Sequence, residues 1–164
     1  MSLTDLQQSY VETQVEASPR WFLDTLAWVR ATGDTTDGKL SLVEYFAPPG
    51  SESPWHVHRT EDESFYVIEG SITVIVGEEH KTVSLSAGGF AFGPRNVPHG
   101  FRVTSDFPAR MLFMTTGGEF AKFVLEASQP AGRLSLPEPT APDIPMLTQI
   151  AGQHDMGILG PLPK

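Results

Sequence analysis

The chain contains no cysteine. That one absence removes disulfides, thiolate metal ligands and cysteine nucleophiles together, so any bound metal must be held by nitrogen and oxygen. No apolar run approaches the roughly 18 residues that a membrane-spanning helix needs. Basic residues are in deficit, with a formal net charge of −9. A nucleic-acid binder needs a basic footprint, and none is present. The first stretch, MSLTDLQQSYVETQVE, lacks a basic start followed by an apolar block, so it does not read as a secretory signal. The expectation is a soluble, cytoplasmic protein with neither nucleic acid nor membrane as partner. No internal repeat of the main block is found.

What is present fits one domain over residues 1–164, long enough to bury a real core. Residues 4 to about 16 are predicted helical, since Thr4 and Gln7 have capping-box spacing. From about residue 25 to 116 the pattern is β. FLDTLAWVRATG has a strand-like middle, GDTTDG is a turn cluster, and KLSLVEYFAPPG alternates before Pro48-Pro49-Gly50. HVH, ESFYVIEG, SITVIV, KTVSL, GGFAFGP, HGFRVTS and ARMLFMTT follow, separated by turn residues. Eight or nine short strands with turn signals every 8–12 residues read as an all-β sandwich or barrel. After Gly117-Gly118 the period changes. Phe120, Phe123 and Val124 sit at helical spacing, a proline-rich connector runs from Pro130 to Pro145, and APDIPMLTQIAGQHD is a second short helix. The tail MGILGPLPK carries enough Ile and Leu to dock. Residues 117–164 are thus an extension of the barrel and not a second domain.

The chemistry concentrates in GSESPWHVHRTEDESFYVIEG, residues 50–70. His56 and His58 are two apart, so on a strand they share a face. On the next strand Glu63, Phe65 and Val67 share one, and an inward-facing set would bring Glu63 beside the histidines. In GGFAFGPRNVPHGF, Pro94 and Pro98 fix a tight turn. Asn96 between them tolerates a left-handed backbone, and His99 opens the following strand. Three imidazoles and a carboxylate form a mixed nitrogen–oxygen set suited to Fe, Mn, Ni, Co, Cu or Zn and not to Ca or Mg. Four protein ligands leave one or two positions for water, dioxygen or substrate.

These residues resemble the cupins. The first cupin motif is matched without departure by Gly50, His56-Val57-His58, Glu63 and Gly70. The second is matched by Gly88, Pro94, and His99, with Asn96 replacing a glycine and Val103 replacing the terminal asparagine. Neither replaced position is a ligand in that family. The match covers about residues 40–116, and the whole chain is similar to small single-domain cupins of the bacterial quercetin dioxygenase kind. The resemblance implies a jelly-roll barrel with a short N-terminal helix and C-terminal helices. It also implies a divalent transition metal on His56, His58, Glu63 and His99.

The expected activity is a metal-dependent dioxygenase on a small aromatic or enol-type substrate, with Glu63 as the catalytic base. The alternatives are a non-redox metal enzyme (cyclase, isomerase or decarboxylase) and a non-catalytic small-molecule binder. Tyr45, Trp55, Phe65, Phe101 and Phe113 are candidates for the substrate pocket. Glu52, Glu61 and Asp62 read as surface charges, His80 as a solvated hairpin tip, and His154 as a contact at a helix end. By the same resemblance a homodimer is expected, with the N-terminal segment and the proline-rich tail as candidate contacts.

Overall fold

The computed structural model describes Tyr10 and residues 18–164. The predicted N-terminal helix therefore lies outside the described residues. Two strands, β1 (Arg20–Phe22) and β2 (Thr25–Ala31), come first. A one-turn helix, α1 (Gly33–Thr36), follows where a turn was expected. Thr32 causes it: its hydroxyl accepts from the Thr35 amide at 3.3 Å, and the Thr35 hydroxyl accepts from the Thr32 amide at 3.0 Å.

The next eight strands are β3 (Leu40–Ala47), β4 (Trp55–His58), β5 (Glu63–Glu69), β6 (Ser71–Val76), β7 (Lys81–Ser86), β8 (Phe90–Gly93), β9 (His99–Val103) and β10 (Ala109–Thr116). Then come α2 (Glu119–Glu126), β11 (Gln129–Pro130), α3 (Ile144–Gln153) and β12 (Met156–Gly160). Nine strands lie between residues 25 and 116, as the turn spacing predicts.

The strands form two antiparallel sheets. One has the order β11-β1-β2-β3-β10-β5-β8, the other β12-β4-β9-β6-β7. Alternate residues face inward. Val43, Tyr45, Phe65, Val67, Met111 and Phe113 from the larger sheet meet Ile72, Val74, Phe101 and Val103 from the smaller. Each such side chain contributes about 1.5–3 kcal/mol through burial. The result is a jelly-roll sandwich: the strand and turn spacing predicts the all-β layers, and the cupin resemblance implies the jelly roll.

Three elements were not legible as strands: β1, which precedes the predicted β region, β11 and β12. β11 pairs with β1, through Arg20↔Pro130 and Trp21↔Gln129. The C-terminal β12 pairs with β4, through Met156↔His58 and Ile158↔His56. The tail thus docks as a strand against the strand that bears two histidines. The proline-rich segment, expected as a dimer contact, covers this chain's own Trp21: the indole Nε1 donates to Ser135 O at 2.8 Å, and Leu136 packs alongside. Among the described residues no helix is long and apolar enough to cross a membrane.

Candidate metal centre

β4 projects His56 and His58 inward because they are two apart. His99, first in β9, is the ladder partner of His56, so the imidazoles gather on one sheet. Glu63 arrives differently from the sequence reading. β4 and β5 do not pair; they belong to opposite sheets, and residues 59–62 carry the chain across. Glu63 therefore faces the histidines through the interior, where it is 1 % exposed.

The side-chain atoms converge on one point. Glu63 Oε2 lies 2.8 Å from His99 Nε2, 3.4 Å from His58 Nε2 and 3.8 Å from His56 Nε2. All four ligand atoms fall within 4.8 Å of one another. Backbone carbonyls orient two of the rings. His56 Nδ1 donates to Pro54 O at 2.8 Å, and His99 Nδ1 donates to Val97 O at 2.9 Å. A carbonyl can only accept, so the protons sit on Nδ1 and both Nε2 lone pairs are free to ligate.

Burial disfavours charge on Glu63, but the adjacent imidazoles outweigh it and hold the carboxyl well below its usual range. His56 is lowered, chiefly by burial, whereas the Glu63 contact lifts His99 despite its burial. Lone pairs of His99 and Glu63 at 2.8 Å need a cation or a proton between them. His58 Nε2 is buried and has no hydrogen-bond partner, a cost that coordination would remove. The donor set therefore fits a divalent metal ion, whose identity these ligands do not select.

Around the centre the walls are apolar. The adjoining cavity has a volume of about 60 Å³, opens outward, and is lined in part by Phe22, Tyr45, Phe101, Phe113, Phe120 and Leu147. Of the five expected pocket residues, Tyr45, Phe101 and Phe113 line it. Trp55 and Phe65 do not. Trp55 has the opposite parity to His56, so it points to the outer face and packs on Ile75 and Leu162. Phe65 lies behind, with its ring 5.6 Å from His99 and 4.9 Å from Phe113. Burial and the nearby Glu63 charge raise the Tyr45 phenol well above its usual value, so it stays a neutral donor.

The sequence reading missed α2 and α3 as cavity walls. Phe120, Phe123, Leu147, Met156 and Ile158 come from the extension. The i, i+3 spacing of Phe120 and Phe123 carried the signal, but not where the helix would dock.

Glu61 is also corrected. It is not a surface charge but is 3 % exposed. Its carboxylate accepts from the Glu119 amide at 2.7 Å and the Phe120 amide at 3.0 Å, capping α2 from behind the site. Gly117 leaves room for it, since a Cβ there would stand 2.5 Å from Glu61 Oε1. Asp62, by contrast, is half-exposed. The Arg95 guanidinium and amide hold its carboxyl at about 2, tying the loop after His58 to the loop before His99. Asn96 takes the left-handed backbone expected of it, with φ of +65°. His80 is at an exposed tip, with its ring edge-on to Trp55. His154 ends α3 but bonds two glutamates of α2, not the pocket.

The cupin domain family is matched by residues 43–115. A quercetin 2,3-dioxygenase of Bacillus subtilis is 28 % identical over 140 residues, which are 84 % of this chain and 40 % of that protein. This chain thus spans less than half the length of that relative. An oxalate decarboxylase of Bacillus subtilis superposes with a TM-score of 0.57 at 20 % identity, over 72 % of this chain and 33 % of that one. KdgF from a Halomonas species superposes with a TM-score of 0.58 at 17 % identity, over 66 % and 94 %. These two likenesses show the fold alone. The family match over residues 43–115 and the likeness to the quercetin 2,3-dioxygenase support a small cupin resembling the quercetin dioxygenases, and the buried three-histidine, one-glutamate cluster fits a divalent metal site.

Proposed function

We propose that the protein is a metal-dependent dioxygenase acting on a small, flat aromatic or enol-type substrate. The observation that carries this reading is the cavity chemistry: apolar, rich in phenylalanine, ending on the metal cluster, with no Lys or Arg among its lining residues. Such a space favours a neutral aromatic body. A guest with a carboxylate remote from the metal would find no cationic partner there, and burying an unpaired charge is costly.

In this reading His56, His58, Glu63 and His99 hold the ion. The bound ion would supply Lewis acidity toward a substrate oxygen and a site for dioxygen chemistry. Glu63, kept ionised by the imidazoles, would swing off the ion to take the proton of the substrate hydroxyl. Tyr45 keeps its own proton and offers it to the guest. Phe101, Phe113 and Phe120 pack on one another as the cavity wall and keep bulk water away.

Two copies of the chain are proposed to associate through the outer face of the larger sheet. Tyr66 and Phe90 are ladder partners there, and Ile68 and Phe92 add to an exposed apolar patch at the edge strand β8.

Metal analysis of the purified protein, followed by oxygen uptake with flavonols and catechols, tests the activity. The expected result is about one equivalent of metal and oxygen consumed in step with substrate. Glu63→Gln should retain guest binding while turnover falls roughly 10²- to 10⁴-fold, the range for loss of a general base. Turnover that persists without oxygen would transfer the site to non-redox chemistry. Unchanged ligand recovered after binding would make it a binding module.

A further inference from the structure

The cavity does not end at its mouth. Leu23, Asp24, Ser53, Leu147 and Ile158 line both it and a second recess, which continues outward beneath the proline-rich segment and the C-terminal tail. Asp24 stands at the neck between them.

The β1–β2 turn places it there. Phe22 and Thr25 pair, leaving Leu23 and Asp24 as a two-residue loop. Leu23 has a φ of +54°, a conformation that a bulky side chain rarely adopts. The Thr25 hydroxyl secures the turn by donating to Phe22 O at 2.7 Å. Strain of this kind is held by surrounding structure and gathers at ligand sites.

Asp24 is half engaged. The buried Ser51 hydroxyl donates to its Oδ1 at 2.8 Å. Its second oxygen has no protein partner among the described residues. Its polar neighbours at the neck are Ser53 and Glu52, which engage other partners through one atom each. Ser53 Oγ accepts from the Phe101 amide at 3.1 Å, and Glu52 pairs with Arg102 at 2.7 Å. No Lys or Arg lines the outer recess either.

We propose that Asp24 is a specificity-determining residue whose free carboxylate oxygen accepts a hydrogen bond from a hydroxyl on the part of the guest that projects into the outer recess. The inference rests on the oxygenase reading above and narrows its substrate class. The guest is extended and uncharged, with a flat apolar body, one oxygen directed to the metal end and a hydroxyl-bearing far end. A far end bearing a carboxylate is repelled by Asp24.

Quercetin and galangin provide the test. They share the fused rings and differ in two hydroxyls on the pendant ring. Both are titrated into the metal-loaded protein without oxygen, followed by tryptophan fluorescence. The wild type should prefer quercetin, and Asp24→Ala and Asp24→Asn should each reduce that preference about tenfold, the worth of one charge-assisted hydrogen bond. General damage to the fold would weaken both guests and leave their ratio unchanged. An unchanged ratio in both variants, or a wild type without preference, overturns the Asp24 assignment and leaves the oxygenase reading standing. A wild type that binds neither flavonol overturns that reading and this inference with it.

Discussion

His154 closes α3 and reaches back to α2 with both ring nitrogens, meeting Glu119 at 3.0 Å and Glu126 at 2.8 Å. Lys122 also bonds Glu119, at 2.7 Å, so the two cations share that carboxylate. Burial alone would lower the imidazole, but the two glutamates outweigh it and raise it above its ordinary 6.5. A raised folded value means the contribution is complete below the ordinary value and is lost as pH rises through the folded one. His154→Gln should therefore cost stability at pH 6, by roughly 1 kcal/mol for so exposed a cluster. The cost should shrink toward zero by pH 9. Urea unfolding of both proteins at the two pH values measures it. The spacing of the metal ligands was fully legible at this scale, because a period of two fixes which side chains share a face. The environments of Glu61 and His154 were not, because a carboxylate or imidazole in a loop carries no mark of what will pack over it.

At the scale of elements, Glu61 couples the metal-bearing strands to α2. It caps the helix whose Phe120 lies 5.6 Å from the His58 ring. Glu61→Ala leaves two amides without an acceptor, and a lost N-cap costs about 1–2 kcal/mol. For a chain of this size that should lower the melting temperature by about 2–8 °C in calorimetry. Glu61→Gln should lose less, since burial raises the carboxyl and thereby disfavours its charge, while the amide keeps one acceptor. β12 guards the other side of β4. Deleting residues 155–164 should expose the ladder around His56 and His58, seen as faster amide exchange there and weaker metal retention. The nine strands of the barrel and both C-terminal helices follow from turn spacing and from the change of period after Gly117. β12 does not, because five residues with two glycines show neither period, and only β4's open edge makes them a strand.

For the whole molecule, the ligand cluster links stability to occupancy. A buried carboxylate and three imidazoles turned toward one point repel one another's lone pairs unless a cation joins them. Removing the metal with a chelator should therefore lower the melting temperature. Ligand at 1,000 times its dissociation constant adds about 4 kcal/mol. At roughly 2–4 °C per kcal/mol for this size, that is about 8–16 °C. An unchanged transition after verified metal removal would show that the cluster is stabilised without an ion. The apolar outer face makes a second whole-molecule prediction. Phe90 and Phe92 are each 55 % exposed. Phe90→Ser with Phe92→Ser should convert a dimer to monomers in sedimentation velocity, with the metal content unchanged.

The amino-acid sequence by itself determined the candidate ligands, the all-β architecture and the exclusion of thiolate chemistry. Each depends on residue identity and on a short, fixed period. Tertiary structure alone decided that Glu63 faces the histidines from the opposite sheet. It also decided that Trp55 turns outward, that the C-terminal extension walls the cavity, and that Asp24 stands at its neck. These arrangements join residues distant in the chain, and closing such contacts is settled by which apolar faces pack together, not by local pattern.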